Sequence, residues 1–348
     1  MSATTPPTSA SVPQVRRAAE AELTVSTVRR IPPARQQAGR PSGPVRDLAL
    51  LPNLLLPGVS HAGAAMLTAD LGRHPQLCLP DSRRPGLFAE LRYGRPVDVR
   101  PHDYDRHFAR WAGQRYRMET SPDYLDGGLP MARTLADVLP GVRIVVLLRD
   151  PAHRLWTGYT DQLARRRLPR AITFDTFVER CLALRANGAD RFEGNRHFRT
   201  LSSGFYVETL PHWFDVFGDR LRVVFTEDLQ EEPAAGVRSL LDWLDLEPGD
   251  VPAVPVPDER ADDRPDGGYP APEPAAAGFN RRFWPGLPRG GAAWRLSAAG
   301  SAARLPRQSE RARARIRSLY AGANAELAAL MRDRGLTALP TWLTDPDA

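Results

Sequence analysis

At 348 residues, 42% hydrophobic and 25% charged, the chain is long enough for one or two domains with a full core, and its two cysteines, Cys78 and Cys181, exclude a disulfide framework and a cysteine zinc site. No apolar run approaches the roughly 20 residues of a membrane span, and the N-terminus lacks the apolar core of a signal peptide, so a cytoplasmic protein with no membrane partner is expected. All 47 basic residues are Arg, which rules out a Walker A loop and any step that uses a lysine.

The net charge of +6 is concentrated at one end. Residues 1–46 hold seven Arg and two acids, hence +5, in a Pro-, Ser-, Thr- and Ala-rich stretch that is expected to be a disordered basic segment. It lacks the aromatic interleaving and motifs of a nucleic-acid arm, so no nucleic-acid partner is expected. The folded part starts at 47. Segment 48–59 predicts a first buried strand confined to its Leu-rich middle by Pro52 and Pro57. A turn and a helix follow over 60–75. Segment 104–116 predicts an aromatic-rich helix, and 118–125 a strand end followed by a turn. A helix then leads into an apolar strand, Val142 to Leu148. Residues 173–188 predict an amphipathic helix with Phe174, Phe177 and Cys181 inward. Residues 204–229 predict a helix, a turn at Gly218 and a strand from Leu221 to Phe225. A helix covers 234–246, a Pro-, Asp- and Gly-rich loop covers 248–275, and a long amphipathic helix covers 308–335. Strands alternating with helices predict an α/β fold with a central parallel sheet and helices on both faces.

The most informative stretch is VRIVVLLRDPAHRLWTGY, residues 142–159. Arg149 sits where the strand ends, Asp150 is a good N-cap, and Pro151 suits the first helical position. Arg154 and Thr157 fall three apart on one helix face. A cation at a strand's carboxyl end beside a helix N-terminus suits an anionic ligand, although an ordinary strand–turn–helix has the same outline.

RDPAHRLWTGY resembles the 3′-phosphate segment of sulfotransferases, roughly RDPxxRxxSxY, which binds the sulfate donor PAPS. Arg149, Asp150, Pro151, Arg154 and Tyr159 match, and Thr157 stands where Ser is usual. METSPDYL (118–125), GFYVETLPHWFDVFGDRLRVVFTEDL (204–229) and SLYAGANAELAALMRDRGLTALPTW (318–342) resemble further segments of the family, in the same order. The resemblance runs from about 51 to 345 and is to bacterial sulfotransferases related to heparan sulfate sulfotransferases. It implies a P-loop-like three-layer fold over a single domain, 47–345. It also implies PAPS as co-substrate, no metal, and a small-molecule or carbohydrate acceptor. Arg149 and Thr157 would contact the 3′-phosphate, since a guanidinium can donate two parallel hydrogen bonds to it.

Two departures bear on catalysis. The family's 5′-phosphosulfate loop reads like GVQKGGTTSL, and this chain has GVSHAGAAML. Ser60, His61, Ala62, Gly63, Ala64 and Ala65 therefore form the expected donor-binding loop, with His61 in the lysine's place and alanines in place of hydroxyls. Amides and helix dipole still favour an anion, and a nearby phosphate that raised its pKa would let His61 supply charge. The family's KExHFF segment, whose Glu is the base, reads RRPGLF here, with Arg84 in that place. An Arg cannot accept a proton. Glu119, His61 and Glu90 are the remaining candidates, with Glu90 read first as a surface ion-pair residue. Tyr206 is a core tyrosine or a wall of the cleft. Arg281, Arg282 and Arg289 are candidates to close over the donor. Three readings follow: a sulfotransferase, a degenerate relative that binds PAP or a partner without turnover, and, least supported by the motifs, a P-loop kinase.

Overall fold

The computed structural model describes residues 50–82, 84–169, 171–247 and 309–345. The basic segment 1–46, the loop 248–275 and Arg281, Arg282 and Arg289 lie outside the described residues.

Five parallel strands form one sheet: β1 (Leu54–Leu56), β2 (Leu77–Cys78), β3 (Tyr116–Thr120), β4 (Arg143–Leu148) and β5 (Leu221–Phe225), in the order β2-β3-β1-β4-β5. From Ile144 to Leu148 no residue of β4 is exposed to solvent. That is why its sequence is continuously apolar: a central parallel strand is covered on both faces. Leu54 of β1 registers with Met118 of β3 on one side and Arg143 of β4 on the other. The β1–β4 pairing extends beyond the strand, with reciprocal bonds from Val59 N–H to the Leu147 carbonyl and from Leu147 N–H to the Gly58 carbonyl, both 3.1 Å.

Helices lie on both faces. α1 (Ala64–Leu71) packs with α8 (Pro233–Trp243), and α2 (Gly128–Val138) packs with α6 (Leu210–Phe217). The remaining helices are α3 (Pro151–Ala164), α4 (Phe174–Ala186), α5 (Arg199–Ser202), α7 (Thr226–Glu231), α9 (Glu310–Asp333) and α10 (Thr341–Thr344). A second apolar cluster joins α3, α4, α5 and α9 through Tyr159, Phe177, Leu201, Ile316 and Tyr320. Phe174, Phe177 and Cys181 face inward as the spacing predicts. No described helix is long and apolar enough to cross a membrane.

Two expectations are corrected. Segment 104–116 is not a helix; a 3₁₀ turn (Pro101–Tyr104) is followed by bends. Its polar groups serve other segments: Asp105 Oδ1 accepts from Leu50 N–H at 3.0 Å, and the His107 carbonyl accepts from Asp81 N–H at 2.7 Å. The aromatic residues Tyr104 and Phe108 still reach the core. The helix predicted over 204–217 is split into a 3₁₀ turn (Tyr206–Glu208) and α6. Pro211, which has no N–H, fits only in the first turn of a helix, and α6 begins there.

The chain from β1 runs by α1 to the β2 side of the sheet, whereas the chain from β4 runs by α3 to β5. Neighbouring strands whose connections diverge make the switch-point crevice where open α/β sheets bind ligands. Here it is bounded by residues 57–63 and by Arg149.

Candidate functional site

The loop after β1 turns into α1 through two left-handed residues, His61 (φ 65°) and Gly63 (φ 84°). No side chain caps α1, whose N-cap is Gly63. The Met66 amide is taken by the Gly63 carbonyl at 3.0 Å, and the amides of Ala64 and Ala65 before it keep their capacity for an anion, assisted by the helix dipole. The loop is anchored from below. The Thr226 hydroxyl lies 2.6 Å from the Ala62 carbonyl and 2.9 Å from that of Leu148, and Ala62 is fully buried. Ala64 is half-buried and Ala65 exposed at the helix start. Two arginines from the RDPxxR segment hold the same loop. Arg149 Nη1 donates to the His61 carbonyl at 3.2 Å, and Arg154 Nη1 donates to the Ser60 carbonyl at 3.1 Å.

His61 is half-buried and lies over α3, where a Cβ added to Gly158 would sit 3.2 Å from its ring. Its pKa is lowered to about 4, by burial first; Asp161 opposes this, and Arg154, Arg84 and Arg165 add to it. The imidazole is therefore neutral at pH 7, and its one N–H remains a donor. Burial thus works against a charged His61 in the free protein.

Arg149 is 3% exposed. Tyr206 supports it from the core, donating its hydroxyl to the Arg149 carbonyl at 2.8 Å. Tyr206 is thus a core residue that braces the site. Asp150 caps α3 by accepting from Ala152 N–H at 2.8 Å, as its position predicts. Thr157 is half-buried and donates its hydroxyl to the His153 carbonyl at 3.1 Å. His153 Nε2 lies 3.3 Å from Arg149 Nη2. His153 thus stands between the two expected 3′-phosphate residues; it occupies a variable place in the family pattern, so no motif signals it.

The expected role of Glu119 as a base does not fit its surroundings. Glu119 is fully buried. Its carboxylate accepts from Tyr104 at 2.7 Å, Tyr124 at 2.8 Å, Ser121 at 2.7 Å and the Gly86 amide at 3.3 Å. Burial raises its pKa, and these four donors oppose the rise. Tyr124 also takes the Phe88 N–H at 3.0 Å. Glu119 is an anchor that ties the segment 86–88 to β3, and no acceptor can reach it. Glu90 is exposed and paired with Arg95, as a surface residue should be. Thr120 bonds Thr68 of α1 at 2.8 Å.

A charged cluster that no motif signals lies on the β3 side of the loop. Arg92 Nη1 is 2.6 Å from Asp123 Oδ1, and the Ser60 hydroxyl is 3.5 Å from the same oxygen. Arg199 Nε lies 3.4 Å from Asp126 Oδ2 and its Nη2 donates to the Asp126 carbonyl at 2.6 Å. Arg154, fully buried, bonds carbonyls of Ser60 and Thr200 and the Ser203 hydroxyl. Two guanidinium groups, of Arg92 and Arg199, thus pair with two carboxylates next to the loop, while Arg154 ties the loop backbone.

Fold and site together define a P-loop-like α/β protein whose anion loop lies at the switch point. No family model matches the sequence. The bifunctional heparan sulfate N-deacetylase/N-sulfotransferase 1 of Caenorhabditis briggsae is 25% identical over 206 residues, 56% of this chain and 23% of that protein. The human heparan sulfate glucosamine 3-O-sulfotransferase 3B1 is 25% identical over 211 residues, 56% of this chain and 46% of that protein. The chain thus spans between about a quarter and a half of the length of these curated relatives. A crystal structure of a sulfotransferase from Alicyclobacillus acidocaldarius superposes with a TM-score of 0.59 at 18% identity, covering 84% of this chain and 98% of that one. The chain is thus similar in sequence, over 56% of its length, to heparan sulfate sulfotransferases, and shares its fold with a bacterial sulfotransferase.

Proposed function

We propose that the protein is a PAPS-dependent sulfotransferase that moves a sulfuryl group to a hydroxyl or amine of a carbohydrate or small-molecule acceptor. The observation that carries this reading is the meeting of Arg149 with the β1–α1 loop at the switch point. It brings a buried guanidinium and an uncapped helix N-terminus to one crevice, the pairing that a donor with phosphates at both ends requires. The curated relatives are named as heparan sulfate sulfotransferases, which supports a carbohydrate acceptor.

In this reading Arg149 binds the 3′-phosphate, and the Thr157 hydroxyl turns from the His153 carbonyl to donate to it, with His153 beside them. The amides of Gly63, Ala64 and Ala65 bind the 5′-phosphosulfate, and the His61 N–H donates to the oxygen on which charge develops as the phosphate leaves. Holding the donor at both ends fixes the sulfur for in-line attack. The alanines at 64 and 65 provide no hydroxyl, so the backbone and His61 carry that end of the donor.

The test is incubation with radiolabelled PAPS and a glucosamine oligosaccharide. A labelled saccharide is expected. A protein that binds PAP tightly yet labels neither this acceptor nor a panel of phenols, alcohols and amines contradicts the reading.

A further inference from the structure

Sulfuryl transfer needs a group to take the acceptor's proton, and Arg84, at the position where the resemblance implies a base, cannot accept one. From the geometry we infer that Asp123 is the catalytic carboxylate on the acceptor side, with Arg92 as its positioning residue. This inference rests on the sulfotransferase reading above.

Asp123 follows β3 in the SPDYL turn, and β3 is the immediate neighbour of β1. The turn is pinned to the β1 end by bonds from Ser121 N–H to the Leu56 carbonyl (3.0 Å) and from Leu125 N–H to the Pro57 carbonyl (2.8 Å). The Asp123 carboxylate consequently reaches the donor loop, 3.5 Å from the Ser60 hydroxyl and one residue before His61. Its side chain is 23% exposed, so an acceptor can touch it. Arg92 is only 7% exposed and lies 2.6 Å from Asp123 Oδ1, which fixes the direction of the carboxylate.

Among the described residues, four other carboxylates of this region have partners of their own. Glu119 is enclosed by four donors. Glu90 is turned to solvent with Arg95. Asp126 lies under Arg199, in contact through both side chain and carbonyl. Asp161, in α3, is held by Arg165 at 2.7 Å. Asp123 combines partial exposure with a buried cation that orients it and a place beside the first residue of the donor loop.

The acceptor oxygen or nitrogen forms a bond to sulfur while the bond from sulfur to the 5′-phosphate oxygen breaks. The electron pair of the broken bond stays on that phosphate oxygen, giving PAP. The proton of the attacking group passes to Asp123 and then to solvent.

The test compares the full chain with Asp123→Asn, Asp123→Glu, Arg92→Lys and Arg92→Gln. Two quantities are read for each: PAP affinity, and PAP release from PAPS with glucosamine as the added acceptor. Asp123→Asn should bind PAP within about threefold of the parent and release it at least about 100-fold more slowly, the low end of general-base effects. Asp123→Glu should recover part of the rate. Arg92→Gln should lose rate at unchanged PAP affinity, and Arg92→Lys should retain more of it. Asp123→Asn with parental turnover overturns the role of Asp123 and leaves the sulfotransferase reading standing. A parent protein that does not bind PAP, or binds it without release above buffer, overturns both.

Discussion

Arg149 and His61 meet across the switch point, the guanidinium of one donating to the carbonyl of the other at 3.2 Å. A cation from the end of β4 thereby sets the shape of the loop that ends β1. On the proposed function the two halves of the donor site would then be one unit, since the Arg149 that meets a ligand phosphate also holds the carbonyl of His61, a residue in the left-handed region.

Arg149→Ala should weaken PAP binding by roughly 1.5–3 kcal/mol, the range for hydrogen bonds to charged groups. AMP, which lacks the 3′-phosphate, should lose much less. Calorimetric titration of both ligands checks this; equal losses for PAP and AMP would place the 3′-phosphate elsewhere.

Protonation of His61 should be coupled to donor binding. In the free protein its pKa is about 4, below the ordinary 6.5, so it is neutral between those values. Bound phosphate raises it, and the complex then holds a proton that the free protein lacks. PAP binding at about pH 5–6 should therefore take up protons, measured by titration in buffers of different ionisation heat. His61→Gln should remove that increment, and an unchanged uptake would show that the phosphate does not approach the ring.

Glu119→Gln should act on stability rather than on the donor site. It replaces an acceptor for four donors with an amide that must aim its own N–H groups at some of them. A loss of about 1–3 kcal/mol is expected, read by urea unfolding, with PAP affinity unaltered. A large loss of turnover at unchanged stability would restore Glu119 as a base.

Arg154→Met keeps volume and removes a buried cation. The carbonyls of Ser60 and Thr200 lose their donor, so destabilisation of about 2–4 kcal/mol is expected. PAP affinity should fall as well, because the loop loses one of its two arginine ties. A variant as stable as the parent, with parental PAP affinity, would show that the tie at Ser60 is dispensable.

What the sequence made legible was the part encoded locally. The apolar run ending at Leu148, the Asp150 cap and Pro151 define a strand–turn–helix by short-range chemistry, and the structure has it. The Leu-rich middle of 48–59 is likewise the central strand. The misread elements depend on distant partners. Segment 104–116 has helical composition, yet Leu50 and Asp81 take its polar groups. Glu119 occupies a family position, but only the packing of Tyr104 and Tyr124 around it reveals that it is enclosed. Arg92, Asp123 and Arg199 come from three separate segments, and no spacing in the chain announces their meeting.

The most direct test of the account is calorimetric titration of the full chain with PAP, with AMP and ATP as controls. Tight PAP binding with much weaker AMP binding is the predicted result if, as proposed, Arg149, His153 and Thr157 receive the 3′-phosphate beside the uncapped start of α1. No PAP binding at millimolar ligand would contradict it: the GVSHAGAAML loop would then lack a working donor site, and the chain would share the fold of the sulfotransferases without their chemistry.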